Sequence, residues 1–258
     1  MEVRPGFCIV IENRKEKKMD KVLHRAATRG HADHGWLDTY HTFSFADYYE
    51  PKRIHFGALR VLNDDTVAPG EGFGTHPHAN MEIVSIPLSG ALRHRDSMGY
   101  VQELRPGGIQ VMSAGTGITH SEFNASDTEP VKFLQIWVLP DARGHRPRYD
   151  QLTLAPAVRN ELRPIVAPEG FGNEHVGWIH QRAWFHTLDL DAGRGADYRL
   201  RLFGDGVYLF VLEGCVETAG ETLSRRDGLG ICGAGELRID AAADASVLGR
   251  AKRSSRSI

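Results

Sequence analysis

An all-β protein built from two tandem, jelly-roll-like β-barrels is what the sequence predicts, and three observations carry that prediction. Short apolar runs recur between turn residues, no long stretch keeps a helical period, and the first half's order of runs and turns returns weakly in the second half. The runs span 56–62, 81–88, 108–112, 131–139, 198–203, 207–212 and 237–239, and many of the breaks carry Gly, Pro, Asn or Asp, as hairpins need. The only helical expectation is a turn or two within 150–160.

The repeat identifies the elements in order. In the first copy, a strand over 83–88 turns at Ser89-Gly90, and a further strand starts after Pro106-Gly107-Gly108. In the second, a strand over 207–212 turns at Glu213-Gly214, and the corresponding later strand starts after Asp227-Gly228. The boundary is expected near 140–147, where Pro140, Asp141, Gly144 and Pro147 cluster. This divides the chain into a charged extension (1–18), an N-terminal barrel (19–142), a C-terminal barrel (143–249) and a disordered basic tail (250–258). Met19 is a second candidate start.

Composition narrows the function classes. An apolar fraction of 41%, a charged fraction of 25% and a net charge of −2 describe an ordinary soluble chain without general attraction to nucleic acid or anionic membrane. No apolar run approaches bilayer length and no secretory cleavage pattern is present. Cys8, Cys215 and Cys232 are few and widely spaced, which suits reduced thiols in the cytoplasm.

The chemistry concentrates in Gly70-Glu71-Gly72-Phe73-Gly74-Thr75-His76-Pro77-His78 and in His120-Ser121-Glu122. Residues two apart on a strand share a face. Two such strands across a small barrel would bring three imidazoles and a carboxylate to one point. A lone His-x-His is a weak signal. Here glycines frame it, Glu82 follows, and Gly115-Thr116-Gly117 leads into His120 with Asn124 beyond. Glycines allow the tight turns at which ligands converge. No cysteine belongs to the set, which disfavours a structural zinc site. Three nitrogens and one oxygen suit Fe(II), Mn, Co, Ni, Cu or Zn, with Fe(II) the first expectation because open positions on a redox-active ion suit dioxygen chemistry. The second copy has no His-x-His, so metal is expected in the first barrel only.

Other residues receive plainer readings. His31, His34 and His41, among Trp36, Tyr40, Phe43 and Phe45, are expected in a strand or arm packed on the barrel rather than at a second metal. His94, beside Arg93, Arg95 and Asp96, is expected at the surface. His175, His180 and His186 are expected in ordinary β-structure, and Trp137, Trp178 and Trp184 in packing.

These motifs resemble the paired motifs of the cupins, with two departures: the Glu82-to-Gly90 spacing is one residue long, and Gly115 replaces the usual proline. Arg29-Gly30-His31-Ala32-Asp33-His34-Gly35-Trp36-Leu37, His41-Thr42-Phe43-Ser44-Phe45-Ala46, Phe73-Gly74-Thr75-His76-Pro77-His78 and the segment Ser113-Ala114-Gly115-Thr116-Gly117-Ile118-Thr119-His120-Ser121-Glu122 are similar to the pirin family. The likeness is strongest to its bacterial quercetin 2,3-dioxygenase-like branch. It is dense from Val22 to Pro140 and fainter from Gly177 to Leu248.

The resemblance implies a bicupin whose ligand pattern falls on His76, His78, His120 and Glu122. General cupin logic nominates Glu82 as the carboxylate; the pirin pattern nominates Glu122, leaving Glu82 to orient a ligand or its water. It further implies a metal-dependent dioxygenase that opens the heterocycle of a flavonol such as quercetin. The hydroxyl would bind the ion, Glu122 or Glu82 would take its proton, and carbon monoxide and a depside ester would leave. The alternative is a non-catalytic, redox-sensing metal protein acting on a protein partner. A near-neutral chain without a DNA-binding motif argues against direct nucleic-acid contact.

Overall fold

Alternating burial in some strands and burial of both faces in others set the architecture. The structure, a computed structural model, describes residues 19–200 and 205–253. Strands β1 (Asp20–His24), β2 (Gly30–Asp33), β3 (Leu37–His41), β4 (Leu59–Val67), β5 (Gly72–His78) and β6 (Glu82–Ser89) come first. They are followed by β7 (Leu92–Asp96), β8 (Val101–Leu104), β9 (Gly108–Ser113), β10 (Ile118–Asn124), β11 (Val131–Val138) and β12 (Arg148–Thr153). The second half holds β13 (Leu162–Pro168), β14 (Gly177–Ile179), β15 (Ala183–Leu190), β16 (Gly195–Arg199) and β17 (Asp205–Glu213). It ends with β18 (Cys215–Thr218), β19 (Glu221–Ser224), β20 (Gly228–Cys232), β21 (Glu236–Ala241) and β22 (Ala245–Arg253). Among the described residues the only helical element is a 3-10 turn at Ala26–Thr28, and no helix is long and apolar enough to cross a membrane.

The fold is all-β, as predicted. Each barrel pairs one 7-stranded sheet with one 4-stranded sheet. In the first, the order β12-β9-β6-β11-β4-β3-β2 faces β5-β10-β7-β8; in the second, β1-β20-β17-β22-β15-β13-β14 faces β16-β21-β18-β19.

Three expectations are corrected. The boundary at 142/143 does not separate the barrels, because each donates a strand to the other. β1 pairs with β20 of the second barrel, and β12 pairs with β9 of the first. Each donated strand covers a sheet edge whose amides would otherwise lack partners. The helical turn within 150–160 is absent, since pairing with β9 holds 148–153 extended. The basic tail starts later than expected: β22 carries the backbone through Arg253 between β15 and β17, satisfied on both sides. The extension 1–18 lies outside the described residues, as do 254–258.

The two large sheets pack face to face. Val84, Ile86, Ile109, Val111, Leu134 and Ile136 from the first meet Ile165, Val166, Phe185, Tyr208 and Phe210 from the second in one apolar cluster. Asp64 lies in the same interface, 2.7 Å from the Arg226 guanidinium and 3.4 Å from that of Arg29. The interior of the second barrel is a continuous apolar core including Leu188, Val207, Leu209, Leu229 and Ile239. The first barrel is different. Its interior apolar residues split into one group around Leu92 and Phe133 and another around Ile83 and Met112. The buried polar side chains Asn63, Asp65, Ser85, Gln110, Glu122 and Gln135 belong to this barrel.

Candidate metal centre

Register brings the predicted ligands together. β5 and β10 pair antiparallel with His120 opposite His76 and Ile118 opposite His78, and a bulge follows His120 so that Glu122 falls opposite Phe73. The bulge needs a close approach. A Cβ on Gly72 would lie 2.3 Å from the Glu122 carbonyl oxygen, which is why glycine stands there. Gly115, where the cupin pattern has proline, sits at a φ of 48° with its missing Cβ 2.1 Å from the His145 carbonyl oxygen.

The imidazoles of His76, His78 and His120 pack with centroids 4.5–4.9 Å apart. The His76 Nδ1 donates to the Gly74 carbonyl at 2.7 Å, so its Nε2 keeps a lone pair. That Nε2 lies 3.1 Å from the His120 Nε2. Two nitrogens each about 2.0–2.1 Å from one ion, at right angles, would be roughly 3 Å apart. The donor set therefore fits a transition-metal ion. Burial holds His78 at about 4 and, with the neighbouring imidazoles, His120 at about 2, so both are neutral and ready to coordinate near pH 7.

Glu122 is buried behind this cluster. Its carboxylate accepts hydrogen bonds from Gln135 Nε2 at 2.7 Å and Ser85 Oγ at 3.4 Å. Burial pushes its pKa up to about 7 against the lowering effect of those bonds. His76, His78 and His120 form one group of ligand atoms within 4.8 Å, while Glu122 belongs to an overlapping group with His94 and His120.

Glu82 is not at this site. On β6, Val84 and Ile86 face the inter-barrel cluster and Ile83 faces the barrel interior. Glu82 shares the parity of Val84. Its carboxylate accepts from Ser113 Oγ at 2.7 Å and from the His180 amide at 3.2 Å, and burial raises its pKa. The even-numbered face of this strand points away from the histidines, so neither the ligand-orienting nor the proton-accepting expectation for Glu82 has a contact behind it.

Two plainer readings are also corrected. His94 is not at the surface: its side chain is 0% exposed on β7, with Nε2 3.0 Å from Asp96 Oδ2 and Nδ1 3.4 Å from His120 Nδ1. Leu92, His94 and Asp96 alternate with exposed Arg93 and Arg95, and that alternation was the available signal. Trp137 lines the site, edge-on to His78 at 4.9 Å and to Phe45 at 5.3 Å. Trp178 and Trp184 are packing residues, the first under the Arg148 guanidinium at 3.7 Å and the second with Ala167 and Val176.

A cavity of about 270 Å³ opens onto the histidines. Leu37, Phe45, Phe73, Ile83 and Trp137 form its apolar walls, and the β2–β3 hairpin, a paired edge of the large sheet, contributes His34 and His41. Asp65, missed in the sequence, lines it too. It is fully buried, receives the Thr39 hydroxyl, and is raised by burial to about 7.

The comparisons agree with this architecture. The pirin family profile matches residues 22–138, and a profile described as the quercetinase C-terminal cupin domain matches 165–249. The quercetin 2,3-dioxygenase of Escherichia coli strain K12 is 40% identical over 226 residues, covering 88% of this chain and 96% of the relative. A pirin-like protein of Caulobacter vibrioides is 38% identical over 220 residues, covering 85% and 94%. The crystal structure of the bacterial pirin YhhW from Escherichia coli in complex with nickel(II) superimposes with a TM-score of 0.86 at 38% identity, covering 92% of this chain and 100% of that one. With two cupin barrels, a histidine cluster in the first and relatives matching over nearly their full length, the chain belongs to the pirin family.

Proposed function

We propose that this protein is a metal-dependent dioxygenase that opens the heterocycle of a flavonol, with His76, His78, His120 and Glu122 holding one divalent ion. The observation that carries the metal site is the pair of Nε2 atoms 3.1 Å apart, one of which has its ring proton committed to Gly74. Two lone pairs at that distance need a cation or a shared proton between them, and ring nitrogens so placed can both reach one ion. Fe(II) remains the first choice, and the nickel(II) complex of YhhW supports a site that also accepts Ni, with Cu, Co, Mn and Zn open to it by donor type.

When bound, the ion supplies Lewis acidity toward a substrate hydroxyl and an electron-transfer partner for dioxygen. The rest falls to the chain. The cavity of about 270 Å³, just below the roughly 300–1,000 Å³ of ordinary ligand sites, offers a flat ring the apolar walls of Phe45, Phe73 and Trp137. Asp65, raised to about 7, is the buried carboxylate placed to take the hydroxyl proton near neutral pH. Glu122 completes the ligand set, with Gln135 and Ser85 orienting its carboxylate. The relatives named quercetin 2,3-dioxygenase support a flavonol-like substrate. The few, widely spaced cysteines of the sequence suit a reducing, cytoplasmic setting.

The test is oxygen uptake by purified, iron-loaded protein on addition of quercetin, with carbon monoxide and a depside as products. No uptake with iron, copper, cobalt or nickel at full occupancy would overturn the enzyme reading while leaving the metal site intact.

A further inference from the structure

We propose that Asp96 and His94 are positioning residues that set the tautomer of His120 and so hold its Nε2 ready for the metal. The inference rests on the three-histidine metal site but not on the dioxygenase reading. It follows from the hydrogen-bond inventory of three side chains on two paired strands. β7 and β10 are antiparallel neighbours, with Asp96 opposite His120 and His94 opposite Glu122.

The direction of the chain is determined at Asp96. Its Oδ1 accepts the backbone N–H groups of Met98 at 2.9 Å and Tyr100 at 3.1 Å, and its Oδ2 lies 3.0 Å from His94 Nε2. All the donors converge on a carboxylate, which has only acceptors to offer. His94 therefore carries its proton on Nε2, and a neutral His94 presents a lone pair at Nδ1. Among the described residues, the ring nitrogen hydrogen-bonded to that lone pair is His120 Nδ1, at 3.4 Å. His120 then has one ring proton for two lone pairs, that of His94 Nδ1 and that of His76 Nε2 at 3.1 Å; the His94 lone pair draws it to Nδ1, and an ion on the His76 side leaves it no other place, so Nε2 faces the ion. Tyr149, stacked on His94 at 4.4 Å and 22°, keeps the imidazole from rotating out of line. Metal-bound histidines commonly donate their second ring N–H to a carboxylate or carbonyl. Here a neutral imidazole is inserted between the ligand and the carboxylate.

The competing arrangement is a second ion held by His94, His120 and Glu122, whose ligand atoms also lie within 4.8 Å. It would require the His120 Nδ1 proton to be lost. That loss would make His120 an imidazolate bridging two ions, whereas the hydrogen-bonded chain leaves each ring neutral.

Asp96→Asn tests this directly. The two backbone donors oblige the new carboxamide to turn its oxygen toward them, so its NH₂ faces His94 Nε2. That reverses the chain: His94 becomes protonated at Nδ1, and His120 is driven to the Nε2-protonated form. In metal-free, ¹⁵N-histidine-labelled full-length protein, the Nδ1-H fraction of His120 should fall below that of the wild type. Nickel(II) and cobalt(II) affinity, measured by competition with a chelator, should fall roughly 10- to 100-fold. His94→Gln, whose amide can donate to Asp96 and accept from His120, should retain affinity within about threefold, whereas His94→Leu should lose it as Asp96→Asn does. If Asp96→Asn does not fold, the His94→Gln and His94→Leu pair decides. An unchanged His120 tautomer in Asp96→Asn, equal affinities for His94→Gln and His94→Leu, or two ions per wild-type chain would each overturn the proposal. Wild-type protein that binds no metal would instead overturn the site itself.

Discussion

Glu122 has to lose a proton to become a ligand, and its burial makes that proton hard to lose. With its pKa raised to about 7 in the metal-free protein, the group is mostly protonated below pH 7, and binding an ion there must release the proton. His78 and His120, at about 4 and about 2, release none in that range. Nickel(II) affinity should therefore rise roughly tenfold per pH unit up to about 7 and level off above it. Calorimetry in two buffers of different ionisation heat should show close to one proton released per ion at pH 6 and few at pH 8. Glu122→Gln should bind more weakly and lose most of this slope. A slope that persists unchanged would assign the proton elsewhere, with Asp65 next in line.

Strand parity decides which carboxylate belongs to the site. Glu82 sits one position away from Ile83, whose side chain faces the barrel interior, and so faces the other barrel, bonded to Ser113 and the His180 amide. Glu82→Ala should leave metal stoichiometry unchanged while reducing unfolding free energy by about 1–3 kcal/mol, since buried donors lose their acceptor. A loss of metal without a loss of stability would restore Glu82 to the site. The contact between β5 and β10 is tested at Gly72. Gly72→Ala places a methyl against the Glu122 carbonyl and the Phe123 Cα, which must push β5 outward and misplace His76 and His78. Gly74→Ala, with nothing within 4 Å of its added carbon, is the matched control. The first should weaken metal binding and the second should not.

At the scale of the whole molecule, strand exchange makes the two barrels one folding unit. Trp36 and Trp137 report on the first barrel and Trp178 and Trp184 on the second. Their fluorescence and far-UV dichroism should follow one coincident denaturant transition; two separate transitions would show that the interface is dispensable. Acid should weaken the donated strand β1. His24 is 4% exposed there, within 2.8 Å of the Tyr208 hydroxyl, and burial, helped by Arg53, lowers it from 6.5 to about 4. Between those values the unfolded chain binds a proton that the folded chain refuses, so the stability due to neutral His24 is complete above pH 6.5 and is lost as the pH falls toward 4. Replacing His24 with Asn should shrink the metal-free protein's stability difference between pH 7 and pH 4 by up to about 3 kcal/mol.

The local pattern was enough for the all-β class and for the glycine-framed cluster of His76, His78 and His120, because period-two spacing and turn glycines are properties of neighbouring residues. Alternation around His94 was equally local, but flanking arginines disguised an inward face as a solvated one. Tertiary structure alone decided that Glu122 lies behind the histidines, that Glu82 faces the other barrel, that Asp65 lines the cavity, and that β1 and β12 change barrels. Those depend on which strand lies beside which and in what register. Pairing energy accrues between residues far apart in the chain, and the apolar alternation that marks a strand does not say which of its two buried faces meets the site.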